Sequence, residues 1–195
     1  VIVTTSAENW SMEELSSVSV DDEKAGETIV DYLIDHGHTK IAEIGANLEL
    51  SQTAILRHNG YLNSLKKHGI TPDERYYERA RFSYDSAYRA MKKLLEKDIE
   101  ITAVYAISDV MAIGAIRAIL DKGLRVPEDI SITGFDGSTL AEYYNPKIVS
   151  IRQPHKDMAA RSVELLFNMI DLHKGSCHEI IPFELTEGES VARID

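Results

Sequence analysis

The sequence predicts an α/β protein built on a parallel sheet. Three short apolar stretches, residues 41–45, 103–107 and 130–135, each end abruptly in small or polar residues and lead into a helical pattern. Strand and helix alternate in this way through most of the chain, which implies parallel strands joined by right-handed crossovers. Ligands of such open sheets bind outside the carboxyl ends of the strands, so we expect a small-molecule site at these three joints.

Composition narrows the class of protein. The chain has 195 residues, of which 44% are hydrophobic, enough for one large or two small globular domains. Its formal net charge of −11 argues against direct binding of nucleic acid, which needs a basic surface. No apolar run approaches membrane-spanning length and nothing resembles a signal peptide. Since the single cysteine, Cys177, also fits a reducing compartment, we expect a cytoplasmic protein without a membrane partner.

The predicted strands begin at the first residue. Residues 1–4 are typical of a buried strand with nothing before it, and such a strand needs neighbours to pair with. We therefore expect this sequence to be a piece of a longer protein. Besides the three central strands, apolar and alternating stretches predict strands at residues 76–78, 148–151, 179–185 and 190–194, and either a strand or a crossover at residues 16–20.

Five helices are predicted from apolar residues at helical spacing. Asp21 or Asp22 caps the first helix, which stops at Gly37. Asp109 is expected to cap the fourth, which a glycine closes. The remaining three are expected at residues 51–67, from Ser83 to residue 95, and at residues 155–171.

Five motifs, in this order, carry a resemblance to a known family. They are TKIAEIG at residues 39–45, RHNGY at 57–61, SDVMAIGA at 108–115, VPEDISITGFD at 126–136 and IRQP at 151–154. Together they closely resemble the effector-binding core of the lactose-repressor/galactose-repressor family of bacterial transcription regulators. The resemblance runs over nearly the whole chain and implies a periplasmic-binding-protein-like fold, with an effector held between two subdomains.

The resemblance also implies how the chain is divided. Residues 1–19 would belong to the N-terminal subdomain and residues 20–147 would form the C-terminal effector-binding subdomain. Residues 148–176 would be a crossover and a helix of the N-terminal subdomain, and residues 177–195 would return to the C-terminal subdomain as closing strands. The DNA-binding head would be absent, so a homodimer would reach operator DNA only through that missing N-terminal domain.

Two charged residues are the principal candidates for binding the effector. Arg57 lies in a helix whose apolar stripe is elsewhere, and Asp136 directly follows the strand at 130–135. A guanidinium presents a fixed fork of donors, and a carboxylate accepts from two hydroxyls at once, which suits a sugar. In the family the matching residues touch the effector. The alternatives are a solvated surface arginine and a loop cap. Thr4 and Thr5 stand where many sugar-responsive members carry an aspartate, so part of the hydrogen bonding to a sugar would differ.

Ser108 and Phe82 are further candidates that the resemblance suggests. Ser108 follows the strand at 103–107 and matches a position that often carries a sugar-reading polar side chain. Phe82 matches an aromatic residue that lines the pocket, where a flat ring packs against the apolar face of a sugar or against a base. For Phe82, the alternative of an ordinary core residue stays open.

Four more candidates lie on loops and crossovers. Ser51 and Thr53 are on the loop that enters the Arg57 helix, where effector contact and helix capping are both open. Gln153 lies at a predicted crossover and would contact the effector or the hinge, and Asp21 lies at the other crossover.

The sequence thus predicts an effector-sensing domain of a transcription regulator, with a sugar, a phosphosugar or a purine as effector. A sugar-binding protein of a transport system shares the fold and is the alternative. An enzyme is the third hypothesis, because Cys177 and His178 adjoin, but no third group orients them. His36 and His38 lack further ligands at metal spacing, so no metal or cofactor is expected.

Overall fold

The computed structural model describes residues 2–3, 16–48, 51–172 and 176–194. Within these residues the fold is α/β, as predicted, with three β-sheets and six α-helices. The strands are β1 (Ile2–Val3), β2 (Ser17–Ser19), β3 (Ile41–Gly45), β4 (Tyr77–Arg79), β5 (Ala103–Ala106), β6 (Ser131–Thr133), β7 (Ser150–Arg152), β8 (His178–Ile180) and β9 (Glu184–Thr186). The helices are α1 (Asp22–Asp35), α2 (Gln52–Lys67), α3 (Tyr84–Glu96), α4 (Asp109–Asp121), α5 (Thr139–Tyr143) and α6 (His155–Leu172).

The large sheet contains four parallel strands in the order β4-β3-β5-β6. From β3 the chain runs outward to β4 and then returns past β3 to β5. Right-handed crossovers therefore send α2 to one face and α3 and α4 to the other. This reversal opens a crevice at the carboxyl ends of β3 and β5, the place where ligands bind in open α/β sheets.

The buried core surrounds this large sheet. Its fully buried members include Ile44 of β3, Ile132 of β6 and Met91 of α3. Helices α1 and α2 approach each other through glycines: a Cβ on Gly26 would lie 2.8 Å from the carbonyl oxygen of Arg57. A Cβ on Gly60 would lie 2.3 Å from a backbone oxygen of α1. These contacts bring the α2 backbone directly against the first turns of α1.

A second, smaller core lies beside the first. Strands β1, β2 and β8 form a parallel sheet, and α6 packs against β1 and β2. The buried residues of this core are Val18, Val20, Met158 and Leu165. Strands β7 and β9 form an antiparallel pair next to the large sheet, and Asp136 bridges to Arg152 of β7. The subdomain boundaries at residues 19, 147 and 176 stay predictions.

The C-terminal strands differ from the prediction. The stretch at 179–185 is two strands, because Pro182 has no N–H to donate to a ladder. Strand β8 pairs with β2 in the small sheet instead of returning with the closing strands, because α6 packs on that sheet and delivers the chain beside β2. Residues 190–194 form no strand. The hydroxyl of Ser190 instead donates to the carbonyl of Ile132.

The other differences concern element ends. The predicted strands at 130–135 and 148–151 are shorter or shifted, and correspond to β6 and β7. Asp21 caps α1, which was one of the two predicted alternatives, and Ser83 caps α3 as predicted. Asp109 does not cap α4, because Ser108 takes that position. Residues 1 and 4 of the predicted opening strand, and Thr5, lie outside the described residues.

Candidate functional site

A cavity of about 710 Å³ opens at the carboxyl ends of the large-sheet strands. Six of the eight residues proposed from the sequence line it, and they come from segments far apart in the chain. The lining consists of Ser51, Thr53, Arg57, Phe82, Asp136, Gly137, Ser138, Thr139, Gln153 and His155. Ser108 and Asp21 are outside this lining.

Arg57 is buried at the inner wall of the cavity, so the alternative of a solvated surface residue is wrong. Its side chain is only 3% exposed. Nε donates to Oδ1 of Asp22 across 2.8 Å, and Nη1 donates to the carbonyl oxygen of Ile107 across 2.6 Å. The guanidinium carbon lies 3.5 Å from the centroid of the Phe135 ring, in a cation–π contact. These contacts orient the guanidinium through the Phe135 ring on one face and through two hydrogen bonds along its edge.

Asp136 faces Arg57 from the loop that follows β6. Its Oδ1 lies 3.6 Å from Nη1 of Arg57 and accepts a hydrogen bond of 2.9 Å from Nε2 of Gln153. The backbone of Asp136 has a φ of 116°, an unusual value for a residue with a Cβ. Burial raises the pKa of Asp136 to about 6, against the lowering effect of Arg57, and the nearby carboxylate of Asp109 adds to the rise.

Phe82, Ser51 and Thr53 also line the cavity. The Phe82 side chain is 48% exposed, so the alternative of an ordinary core residue does not hold. Ser51 lines the cavity and also caps α2, since its hydroxyl accepts from the backbone N–H of Ala54 at 3.2 Å. Both interpretations of Ser51 are therefore compatible with the structure. Thr53 is 5% exposed and belongs to the first turn of the same helix.

Ser108 and Asp21 do not line the cavity and instead cap helices. The buried Ser108 hydroxyl accepts from the backbone N–H of Met111 and caps α4. The exposed Asp21 carboxylate accepts from the backbone N–H of Lys24 and caps α1. In both cases the cap directs the short side chain toward its own helix and away from the cavity.

Asp109, which is outside the cavity lining, forms hydrogen bonds that join three segments of the chain. Its backbone N–H donates to the carbonyl of Phe135 at 2.7 Å. Its side chain accepts from the Ser150 hydroxyl and from the Ser138 backbone N–H, both at 2.6 Å. Burial raises the pKa of Asp109, and these hydrogen bonds oppose the rise. The carboxylate thus fixes the start of α4, the loop after Asp136 and strand β7 relative to one another.

Two residues at the site, Asp22 and His155, were not predicted from the sequence. Asp22 lies on the buried stripe of α1, in helical register with Ala25 and Ile29. A carboxylate on an apolar stripe predicts a buried partner, so the periodicity contained a signal for this residue. His155 begins α6 next to Gln153, and its Nδ1 lies 2.8 Å from the carbonyl oxygen of Gln153. Nothing in the local pattern marked it.

The residues considered for catalysis or metal binding do not converge. Cys177 is exposed, and Nδ1 of His178 lies 2.8 Å from the hydroxyl of Ser17. His38 contacts the Thr102 hydroxyl and the Ala192 carbonyl, whereas His36 contacts the carbonyl of its own helix at Tyr32. Among the described residues, no group of three or more histidine, cysteine or carboxylate side chains could hold a metal ion.

The described part of the chain also has no helix that is both long and apolar enough to cross a membrane.

Known proteins resemble this chain over most of its length. The profile of the periplasmic binding protein-like domain matches residues 30–191. The HTH-type transcriptional regulator MalR of Clostridium butyricum is 40% identical over 179 residues, which are 92% of this chain and 53% of that protein. The HTH-type transcriptional repressor PurR of Pasteurella multocida is 41% identical over 140 residues, 72% of this chain and 42% of that protein.

A solved structure, the transcriptional regulator CelR in complex with cellobiose, superimposes with a TM-score of 0.86 at 32% identity. The match covers 91% of this chain and 54% of that one. The chain thus spans about half the length of the curated relatives it matches. The matching profile shows that the chain belongs to the periplasmic binding protein-like domain family, and its relatives are transcriptional regulators of the lactose-repressor/galactose-repressor type.

Proposed function

We propose that this chain is the effector-sensing part of a bacterial transcription regulator and binds a small polar molecule in the 710 Å³ cavity. The observation that carries the proposal is the convergence of Arg57 and Asp136, 3.6 Å apart, from two different strand-to-helix joints. Together they present donors and acceptors at one point, as a polyhydroxylated ligand requires. The relatives are transcriptional regulators, and one of them holds cellobiose.

The cavity is suited to signalling because its walls belong to different units of the fold. Arg57 and Asp136 are attached to the large sheet, whereas Gln153 and His155 lead into α6, which packs on the small sheet. A ligand that contacts both walls would favour one relative orientation of the two units. The shift would equal its differential affinity for the two orientations.

Dimerisation and DNA binding complete the proposal. Helix α4 and the segment at α5 form the proposed homodimer surface, where Leu120, Leu140 and Tyr143 are exposed. The relatives carry the designation HTH-type, and the formal charge of −11 argues against DNA contact by this chain itself. Operator DNA would be bound by a helix-turn-helix domain outside the present sequence, and the regulator would act in the cytoplasm.

Calorimetry on the regulator tests the proposal. Cellobiose, a hexose, a hexose phosphate and a purine base would be titrated into the protein, with the expectation that one class binds. Arg57→Ala and Asp136→Ala should each weaken that binding about 10- to 100-fold, since each removes hydrogen bonds to a charged group.

Arg89→Ala and Asp85→Ala are the matched controls, because these two residues form an exposed ion pair with each other on α3 and are outside the cavity lining. Unchanged affinity in both site variants, or equal losses in the controls, would overturn the site. A sugar-binding protein of a transport system is not favoured by the relatives, which are regulators. Ligand-dependent release or capture of an operator fragment by the regulator would distinguish the two.

A further inference from the structure

The charge of Arg57 is already balanced within the protein. Its Nε donates to Asp22 at 2.8 Å, and both side chains are only 3% exposed. The carboxylate of Asp136 lies on the cavity side at 3.6 Å. One guanidinium therefore faces two carboxylates, so the three side chains together carry a net negative charge when both carboxylates are ionised.

The described lining offers an anion no other cationic side chain of the lysine or arginine type. Its remaining members are neutral or acidic, except for His155 at the rim. The start of α2 also faces the cavity, but the Ser51 hydroxyl accepts from the Ala54 N–H there. Phosphate recognition normally uses arginine or lysine whose charge is available to the ligand.

We propose, building on the function inferred above, that Asp22 sets the charge selectivity of the cavity. By neutralising Arg57 from behind, it makes the site accept an uncharged polar effector and reject a phosphorylated one. Arg57 then acts as a directional hydrogen-bond donor and not as a counter-ion. Of the effectors compatible with the sequence, this selects a free sugar or a neutral base over a phosphosugar.

The position of Asp22 is determined by packing, so its charge can be changed without changing its shape. The α2 backbone rests on Gly26, one turn after Asp22, which holds Arg57 within reach of the carboxylate. Asparagine has nearly the same volume, and its amide oxygen can still accept from Nε of Arg57. Asp22→Asn therefore removes one negative charge and keeps the hydrogen bond.

Asp21 provides a matched control in the neighbouring position. Asp21→Asn removes the same charge from an exposed side chain, and asparagine caps a helix as well as aspartate does. Inorganic phosphate and glucose 6-phosphate, with glucose for comparison, are suitable probes. Burial raises the pKa of Asp22 and raises that of Asp136 to about 6, so the measurements are made at about pH 8, where both carboxylates are favoured in their ionised form.

Calorimetry should show no phosphate binding to the wild type at millimolar concentration. Asp22→Asn should bind phosphate at least about tenfold more tightly than the wild type, because a close opposing charge is gone. Asp21→Asn should behave as the wild type does. The double variant Asp22→Asn/Arg57→Gln should lose the gain, which assigns the new affinity to Arg57.

Three results would overturn the proposal: phosphate binding by the wild type, no gain in Asp22→Asn with a folded circular dichroism spectrum, or an equal gain in Asp21→Asn. If Asp22→Asn does not fold, the titration of the wild type still decides. Binding of phosphate or glucose 6-phosphate to the wild type contradicts the proposal. Binding of glucose or another neutral probe, without binding of either phosphate compound, supports it. The outcome is separable from the proposed function. That function fails if no small molecule binds and operator binding does not respond, whatever the phosphate affinity of the variants.

Discussion

Gln153 and Asp136 are joined twice across the wall of the cavity. Nε2 of Gln153 donates to Oδ1 of Asp136 at 2.9 Å, and the Gln153 backbone N–H donates to the Asp136 carbonyl at 3.2 Å. The segment leading into α6 therefore orients the carboxylate that follows β6. Oε1 of Gln153 is buried without a hydrogen-bond partner among the described residues. A ligand hydroxyl would satisfy it, so we expect this pair to respond to a bound ligand.

Replacing Asp136 with glycine should separate stability from ligand binding. At a φ of 116°, a residue with a Cβ is strained, whereas glycine adopts such angles freely. We expect the free energy of unfolding of Asp136→Gly to be about 1 kcal/mol higher than that of Asp136→Ala. Both variants should weaken ligand binding about 10- to 100-fold. Urea denaturation and calorimetry on the two variants check this, and equal stabilities would contradict the strain at residue 136.

Ligand binding should weaken as the pH falls through about 6. Burial raises the pKa of Asp136 from 3.8 to about 6, and a protonated carboxyl has lost one of its acceptors. Calorimetry between pH 5 and pH 8 should therefore show falling affinity on the acid side. Asp136→Asn should give a weak but nearly pH-independent affinity. A wild-type profile that is flat in this range would contradict the assignment.

The same pKa predicts the stability of the ligand-free protein. A carboxyl whose pKa is raised in the folded state contributes stability that is present below pH 3.8 and is lost as pH rises through about 6. Compared with Asp136→Asn, the wild type should thus become relatively less stable between pH 4 and pH 7. Urea denaturation of both proteins across this range measures the difference, and a constant difference would contradict the raised pKa.

Asp109 should be more important for the site than the residue that caps the same helix. Asp109→Ala removes the acceptors for Ser138 and Ser150, so the loop carrying Asp136 loses its anchor. We expect a loss of about 2 kcal/mol in unfolding free energy and a clear fall in ligand affinity. Ser108→Ala removes a helix cap and should cost about 1 kcal/mol with affinity nearly intact. Equal affinity losses in the two variants would show that Asp109 has no special position.

The buried pair of Glu43 and His58 should be strongly coupled. Nδ1 of His58 lies 2.6 Å from Oε2 of Glu43, which is fully buried on β3. His58→Leu leaves the carboxyl without this partner and should cost about 3 kcal/mol, whereas Glu43→Leu/His58→Leu should recover much of the loss. His68→Leu, whose partner Asp31 is nearer the surface, is the control and should cost less than about 1 kcal/mol. Additive effects in a double-mutant cycle would contradict the coupling.

This pair also has a pH signature. Burial alone would lower the pKa of His58, but its hydrogen bond and charge interaction with Glu43 raise it above 6.5. The stability that protonation of His58 provides is fully present below pH 6.5 and is lost as pH rises through its folded-state pKa, and the pKa of Glu43 is raised as well, by burial. The gap between wild type and His58→Leu in urea denaturation should therefore narrow toward alkaline pH. A gap that widens would exclude a protonated His58.

Local patterns determined the alternation of strands and helices, the three strand-to-helix joints, two of which line the cavity, and most of the helix caps. These features depend on side chains within a few residues of one another, so periodicity and capping chemistry are enough to predict them. The motif resemblance added Arg57 and Asp136 as a pair. The pairing of β8 was not predictable in this way, because it depends on where α6 packs and not on the alternation of its own residues.

Only the tertiary structure decided what surrounds Arg57. Its partner Asp22 is 35 residues away in the sequence, and the two meet because glycines let α1 and α2 pack backbone to backbone. Likewise, the raised pKa of Asp136 comes from burial and from charges on other segments. Desolvation and charge pairing depend on distances between residues that are remote in the chain, and no local pattern contains those distances.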